Sequence, residues 1–134
     1  MSEAELSQQL ILQRMRNRQI ETLELAASFE EQRQHQDEAQ ISVPSEVINQ
    51  WGDWYWPQNT YGESPVFSQE EIEALRAYDT VLNSICDRLP EWLPELDVVQ
   101  TWPEWHELRE AASQALVAFE ARGRFSEDHE EKFV

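Results

Sequence analysis

The chain is poor in cysteine, glycine and positive charge, and each shortage excludes a class of chemistry. A single cysteine, Cys86, in 134 residues cannot form an internal disulfide or a cysteine-based metal site. Such usage suits a reducing compartment, so a cytoplasmic location is expected. Three glycines cannot build a glycine-rich phosphate loop. No apolar run approaches the ~18–20 residues needed to span a bilayer, and the opening residues carry no signal-peptide apolar core. Ten Lys and Arg stand against 27 Asp and Glu, a net charge of -17. A surface so anionic disfavours direct contact with nucleic acid or anionic lipid.

Aromatic residues are the exception to this scarcity. Six Trp, three Tyr and five Phe are too much apolar material for a disordered acidic chain, so a folded core is expected. The length fits one domain over 1–134. Helix formers dominate from about Ser2 to Gln40, with no Gly and no Pro, and predict one long helix from Glu3 to Asp37, broken or frayed past Glu31. Its apolar positions do not form one stripe. Leu10, Ile11, Met15, Leu25, Ala26 and Phe29 share a broad sector, whereas Leu12, Ile20, Leu23 and Ala27 lie elsewhere. Such a helix touches more than one surface, either as the centre of a bundle or as a homodimer contact.

The stretch 41–67 reads as a connector and loop. Ser42 caps a short helix with Pro44 in its first turn, expected over Pro44–Gln50. Trp51–Phe67 follows, with six aromatics, two Gly and two Pro, and is assigned as a long irregular loop. A helical core is expected over 68–123. Ser68 and Glu71 form a capping box ahead of the stripe Ile72, Leu75, Tyr78, Val81, Leu82, Ile85, Cys86 and Leu89. Pro90–Gln100 reads as a turn or short helical piece. Thr101 and Glu104 suggest a second capping box, ahead of Trp105, Leu108, Ala111, Ala112, Ala115, Leu116 and Phe119. Gly123 suits a helix C-terminus, and the charged tail 124–134 is expected to fray. The predicted fold class is all-α: a helical bundle of about three long helices, short helices and an aromatic-rich loop.

Candidate catalytic groups are sparse. Glu70/Glu73 and Glu107/Glu110 are i, i+3 pairs, each on one helix face. If they converged they could hold a divalent cation, as in helical nucleotide pyrophosphohydrolases. The wheel positions of Glu73, Glu107 and Glu110, however, point away from the core stripes, which favours a solvated face. His106–Glu110 has a histidine and glutamate in the manner of the zinc-protease helix, but Glu110 occupies the place of the second histidine. Cys86, on an apolar stripe, reads as a buried and inert thiol. No catalytic, metal or cofactor site is assigned, and the chain is expected not to be an enzyme. Arg14, Arg16 and Arg18 form the basic cluster and are expected to pair within the molecule.

The remaining signal is charge with large rings. Self-repulsion at -17 costs folding stability, a cost that makes sense if the surface meets a cationic partner. The expectation is therefore an acidic protein-binding domain, most concretely an immunity or antitoxin-type inhibitor of a basic toxin or nuclease. Asp53, Trp54, Trp56, Tyr61 and Glu63 would supply the loop contacts, with Glu70, Glu73, Glu107 and Glu110 as an acidic rim. The alternatives are a metal-dependent nucleotide hydrolase and a homodimeric scaffold joined through the N-terminal helix.

Overall fold

A computed structural model describes residues 7–38, 42–56, 61 and 64–133 of the chain. Six helices follow in order: α1 (Gln8–Ala27), α2 (Phe29–Glu38), α3 (Val43–Trp54), α4 (Gln69–Cys86), α5 (Leu96–Val99) and α6 (Pro103–Glu120). No strand occurs among the described residues, so the class is all-α. The three long helices are α1, α4 and α6, with 20, 18 and 18 residues. None of the described helices is long and apolar enough to cross a membrane.

The core is a stack in the order α4–α6–α1–α3. α4 and α6 run antiparallel. At one end Glu71 of α4 meets Arg122, just past α6, and at the other Arg88 meets Glu107. α6 buries Trp105, Leu108, Ala112, Ala115 and Phe119, and its alanines let the neighbouring helices approach closely. α3 closes the stack onto α4 through Trp51. That indole lies edge-on to Tyr78, with centroids 4.6 Å apart, and donates Nε1–H to Asp79 at 3.0 Å.

The long N-terminal helix breaks earlier than the sequence pattern suggests. Ser28 separates α1 from α2 and accepts the Glu31 amide on its hydroxyl at 3.1 Å. Serine thus starts a new helix three residues before a glutamate, a start signal set within a run of helix formers. Gln32, buried at the joint, donates to the carbonyls of Leu25 and Ala26 where the helical ladder of α1 ends; the Leu25 carbonyl also takes the Ser28 amide at 3.4 Å. Its carbonyl accepts from Trp105 Nε1 at 2.9 Å, tying the joint to α6.

Two other boundaries differ from expectation. α3 begins at the Ser42 cap with Pro44 in its first turn, but runs through Gly52 to Trp54, so the first residues of the expected loop are helical. α4 has its capping box complete. α6 instead starts from Trp102 without a side-chain cap, because the Thr101 hydroxyl donates to the Val98 carbonyl at 2.6 Å. Past α6, Gly123 has φ +67°, and its amide reaches the Phe119 carbonyl at 2.8 Å, as a left-handed helix cap requires.

The C-terminal segment is docked, not frayed. Gln13 of α1 donates to the Ser126 and His129 carbonyls and accepts the Glu131 amide. Asn17 exchanges two hydrogen bonds with the Phe125 main chain. Gln9 and Arg14 donate to the carbonyls of Glu131 and Glu127. Gln13 and Asn17, buried on α1, are therefore held by main-chain groups more than a hundred positions away. α1 is the central helix because α6, α3 and this segment surround it.

Candidate functional site

At the end of α3 the expected aromatic contact divides into a buried half and an exposed half. Trp51 stacks on Tyr55 at 4.9 Å, Tyr55 lies parallel to Tyr61, and Tyr61 meets Phe67 edge-on. Burial pushes the Tyr55 phenol up, and the charge of Asp79 adds to it. Tyr61 is only 5% exposed, which corrects its expected role as a contact residue. Its hydroxyl accepts the Trp56 amide at 3.1 Å, so it positions Trp56 from beneath. Trp54 and Trp56 are 37% and 45% exposed, and Asp53 beside them is exposed. Glu63 lies outside the described residues.

The four rim glutamates are exposed but do not come together. Glu70 and Glu73 sit near the start of α4, Glu107 and Glu110 near the start of its antiparallel neighbour α6. At ~1.5 Å per residue the pairs lie roughly 15–25 Å apart along the helix axes. The facing arrangement that a shared cation would require is absent, and no group of three metal-ligating side chains gathers among the described residues. Glu107 binds Arg88 at 2.8 Å, while Glu73 and Glu110 accept from Gln69 and Gln114. His106 contacts the Gln100 carbonyl and Arg109, both on its own side of the fold.

Most arginines are engaged inside the molecule. Arg16, with no exposed side-chain area, and Arg122 both bind the buried carboxylate of Glu71. Burial alone would raise the Glu71 pKa, but hydrogen bonds from Arg16, Arg122 and the Ser68 amide outweigh it and hold the carboxyl below the ordinary range. Arg18 pairs with Glu127 and Glu21, and Arg124 with Glu21 and Glu24. The basic cluster of α1 is thus turned inward or onto the C-terminal segment. The exposed surface keeps the acid surplus.

A second exposed aromatic stands apart from α3, and sequence reasoning did not place it in the site. Trp92 is 84% exposed, in the segment Pro90-Glu91-Trp92-Leu93-Pro94 between α4 and α5. Each proline fixes its own φ and pushes the residue before it towards extended geometry. Leu93 packs against the core, leaving Trp92 outward. A cleft of about 640 Å³ opens on one side, walled by α2, the start of α3 and residues 93–97. A smaller one of about 270 Å³ opens on the other, between α3 and residues 86–93. Cys86 lines the smaller cleft and is exposed, contrary to the buried thiol expected. Partial burial and Asp87 push that thiol's pKa up, which favours the protonated thiol. A polar groove along Ser42, Ser45, Glu46, Asn49, Gln50 and Asp53 continues from these clefts towards Trp54. The signal for Trp92 in the sequence is an indole bracketed by two prolines and flanked by glutamates, outside any helical stripe. No family model, curated protein or solved structure matches the chain.

Proposed function

We propose that this chain is a non-enzymatic binding protein that captures a cationic protein partner, in the manner of an immunity or antitoxin-type inhibitor. The observation that carries this reading is the exposure of Trp54, Trp56 and Trp92 on a surface whose acid surplus is not neutralised from within. A folded chain that buries Trp51 and Trp105 almost completely has the means to bury an indole. Leaving three outside supplies the large, rigid contact area that interface hot spots use. The charge supplies the rest. Long-range attraction to a positive partner raises association rates by roughly 10–1000-fold, and acidic side chains then stand where that partner holds an anionic ligand.

Affinity capture from the source cell at low salt tests the reading. The expected result is retention of a basic protein that elutes as salt is raised. Retention of no basic protein at low salt contradicts it.

A further inference from the structure

The arch from Pro90 to Pro94 carries Trp92, the most exposed large apolar side chain among the described residues. Its indole projects into solvent, and open clefts lie on both flanks of Leu93, the larger with a mainly apolar lining and the smaller with a mainly polar one. Pro44, Leu93, Pro94 and Leu96 contribute apolar surface to the larger cleft, and Ile48, Leu89 and Leu93 to the smaller. The rim is anionic: Asp37, Glu91, Glu95 and Asp97 are exposed around it. Arg33 is the one basic residue lining either cleft among the described residues, and it is held by the Gln100 side-chain carbonyl at 3.0 Å. Pro90 and Pro94 restrict the arch before anything binds, which reduces the ordering cost of an interface built on it.

We infer that this arch and its two clefts are the docking site for a cationic amphipathic segment of a partner protein. The inference rests on the charge-driven reading above and assigns it a location. Apolar side chains of the segment pack on Trp92 and fill the larger cleft, and its lysines or arginines meet the carboxylate rim. A second copy of this chain is a poor occupant, since it brings the same charge of -17 to a surface that repels it. An uncharged apolar occupant would leave the rim carboxylates unused.

The probe is a short synthetic amphipathic peptide of lysine and leucine, fluorescently labelled and titrated with the full chain. Saturable binding is expected, weakened about tenfold or more by Trp92→Ala, as for loss of a hot-spot indole. Val117→Ala, at an exposed apolar position towards the C-terminal end of α6, should change it by less than about twofold if the arch is the site. A lysine–serine peptide of equal charge, and a glutamine–leucine peptide of equal apolarity, should each bind at least about tenfold more weakly. Helical circular dichroism of Trp92→Ala, unchanged from wild type, excludes misfolding as the cause. Equal affinity of wild type and Trp92→Ala overturns the inference. So does equal binding of either control peptide, or self-association that displaces the lysine–leucine peptide. The captured cellular partner separates this inference from the broader reading. A basic partner indifferent to Trp92→Ala overturns the docking site alone, whereas absence of any basic partner overturns the broader reading, with the peptide titration still deciding the arch.

Discussion

Replacing Glu71 by glutamine should unfold the protein more than any comparable change to its acidic surface. The carboxylate is 1% exposed and receives Arg16 through two nitrogens, at 3.2 and 2.8 Å, and Arg122 through two more. It also accepts the Ser68 amide at 3.0 Å, closing the cap of α4. Glutamine keeps the volume but removes the negative charge, leaving the fully buried Arg16 guanidinium without its counter-ion. Breaking a buried pair from one side costs about 3–5 kcal/mol, against a total stability of about 5–15 kcal/mol for a typical domain. For a chain of this length, each kcal/mol corresponds to roughly 3–4 °C in Tm. Glu71→Gln should therefore lower Tm by about 9–20 °C, read by urea titration and thermal melting followed by circular dichroism. The neighbouring Glu70→Gln, on the exposed face, should change stability by less than about 0.5 kcal/mol. A loss below about 1 kcal/mol at Glu71 would refute the argument that this triad holds α1, α4 and the end of α6 together.

The pH dependence has a definite sign. Because the folded Glu71 carboxyl lies below its ordinary value, its contribution is fully present above the unfolded glutamate pKa of about 4.3. It is lost as pH falls through the folded value. Urea midpoints on the acid limb should therefore fall less steeply for Glu71→Gln than for wild type; parallel limbs would deny the coupling. Ser68→Ala, which removes the hydroxyl that accepts the Glu71 amide, should cost about 1 kcal/mol in urea unfolding, and an unchanged midpoint would argue against the cap. Asn17→Ala removes both hydrogen bonds to the Phe125 main chain. It should cost about 1–3 kcal/mol and speed hydrogen exchange at the Phe125 amide; unchanged exchange would mean the C-terminal segment is held elsewhere.

Local signals were legible where a helix carries its own start and one apolar face. α4 is the clearest case, since Ser68, Glu71 and the stripe from Ile72 to Ile85 agree with one another. The Ser42 cap and Gly123 were legible for the same reason. The break at Ser28 was harder, because helix formers continue on both sides and the joint is held by Gln32, Gln100 and Trp105 across the fold. Burial of Gln13, Arg16, Asn17 and Gln19 had no local signature at all. Their partners are mostly main-chain groups of distant segments, and sequence patterning reports apolar faces only. The same limit misplaced Cys86, at the edge of its stripe beside an open cleft, and Tyr61, whose ring turns inward to Tyr55 and Phe67.

The candidate surface was half visible. Charge and aromatic content pointed to Asp53, Trp54 and Trp56, which the fold leaves exposed. The glutamate pairs were legible as pairs, but only the antiparallel packing of α4 and α6 shows that they lie at opposite ends. Trp92 stood in a short proline-bound piece with no periodicity to orient it, so its outward direction depended on Leu93 packing inward.

The most direct measurement is the stopped-flow association rate of the captured basic partner with the full-length chain as ionic strength is raised. Attraction between a surface of net charge -17 and a cationic partner should make the rate fall steeply between about 0.05 and 0.5 M salt, as the Debye length contracts. A rate that stays flat across that range would contradict the claim that the anionic surface exists to draw the partner in.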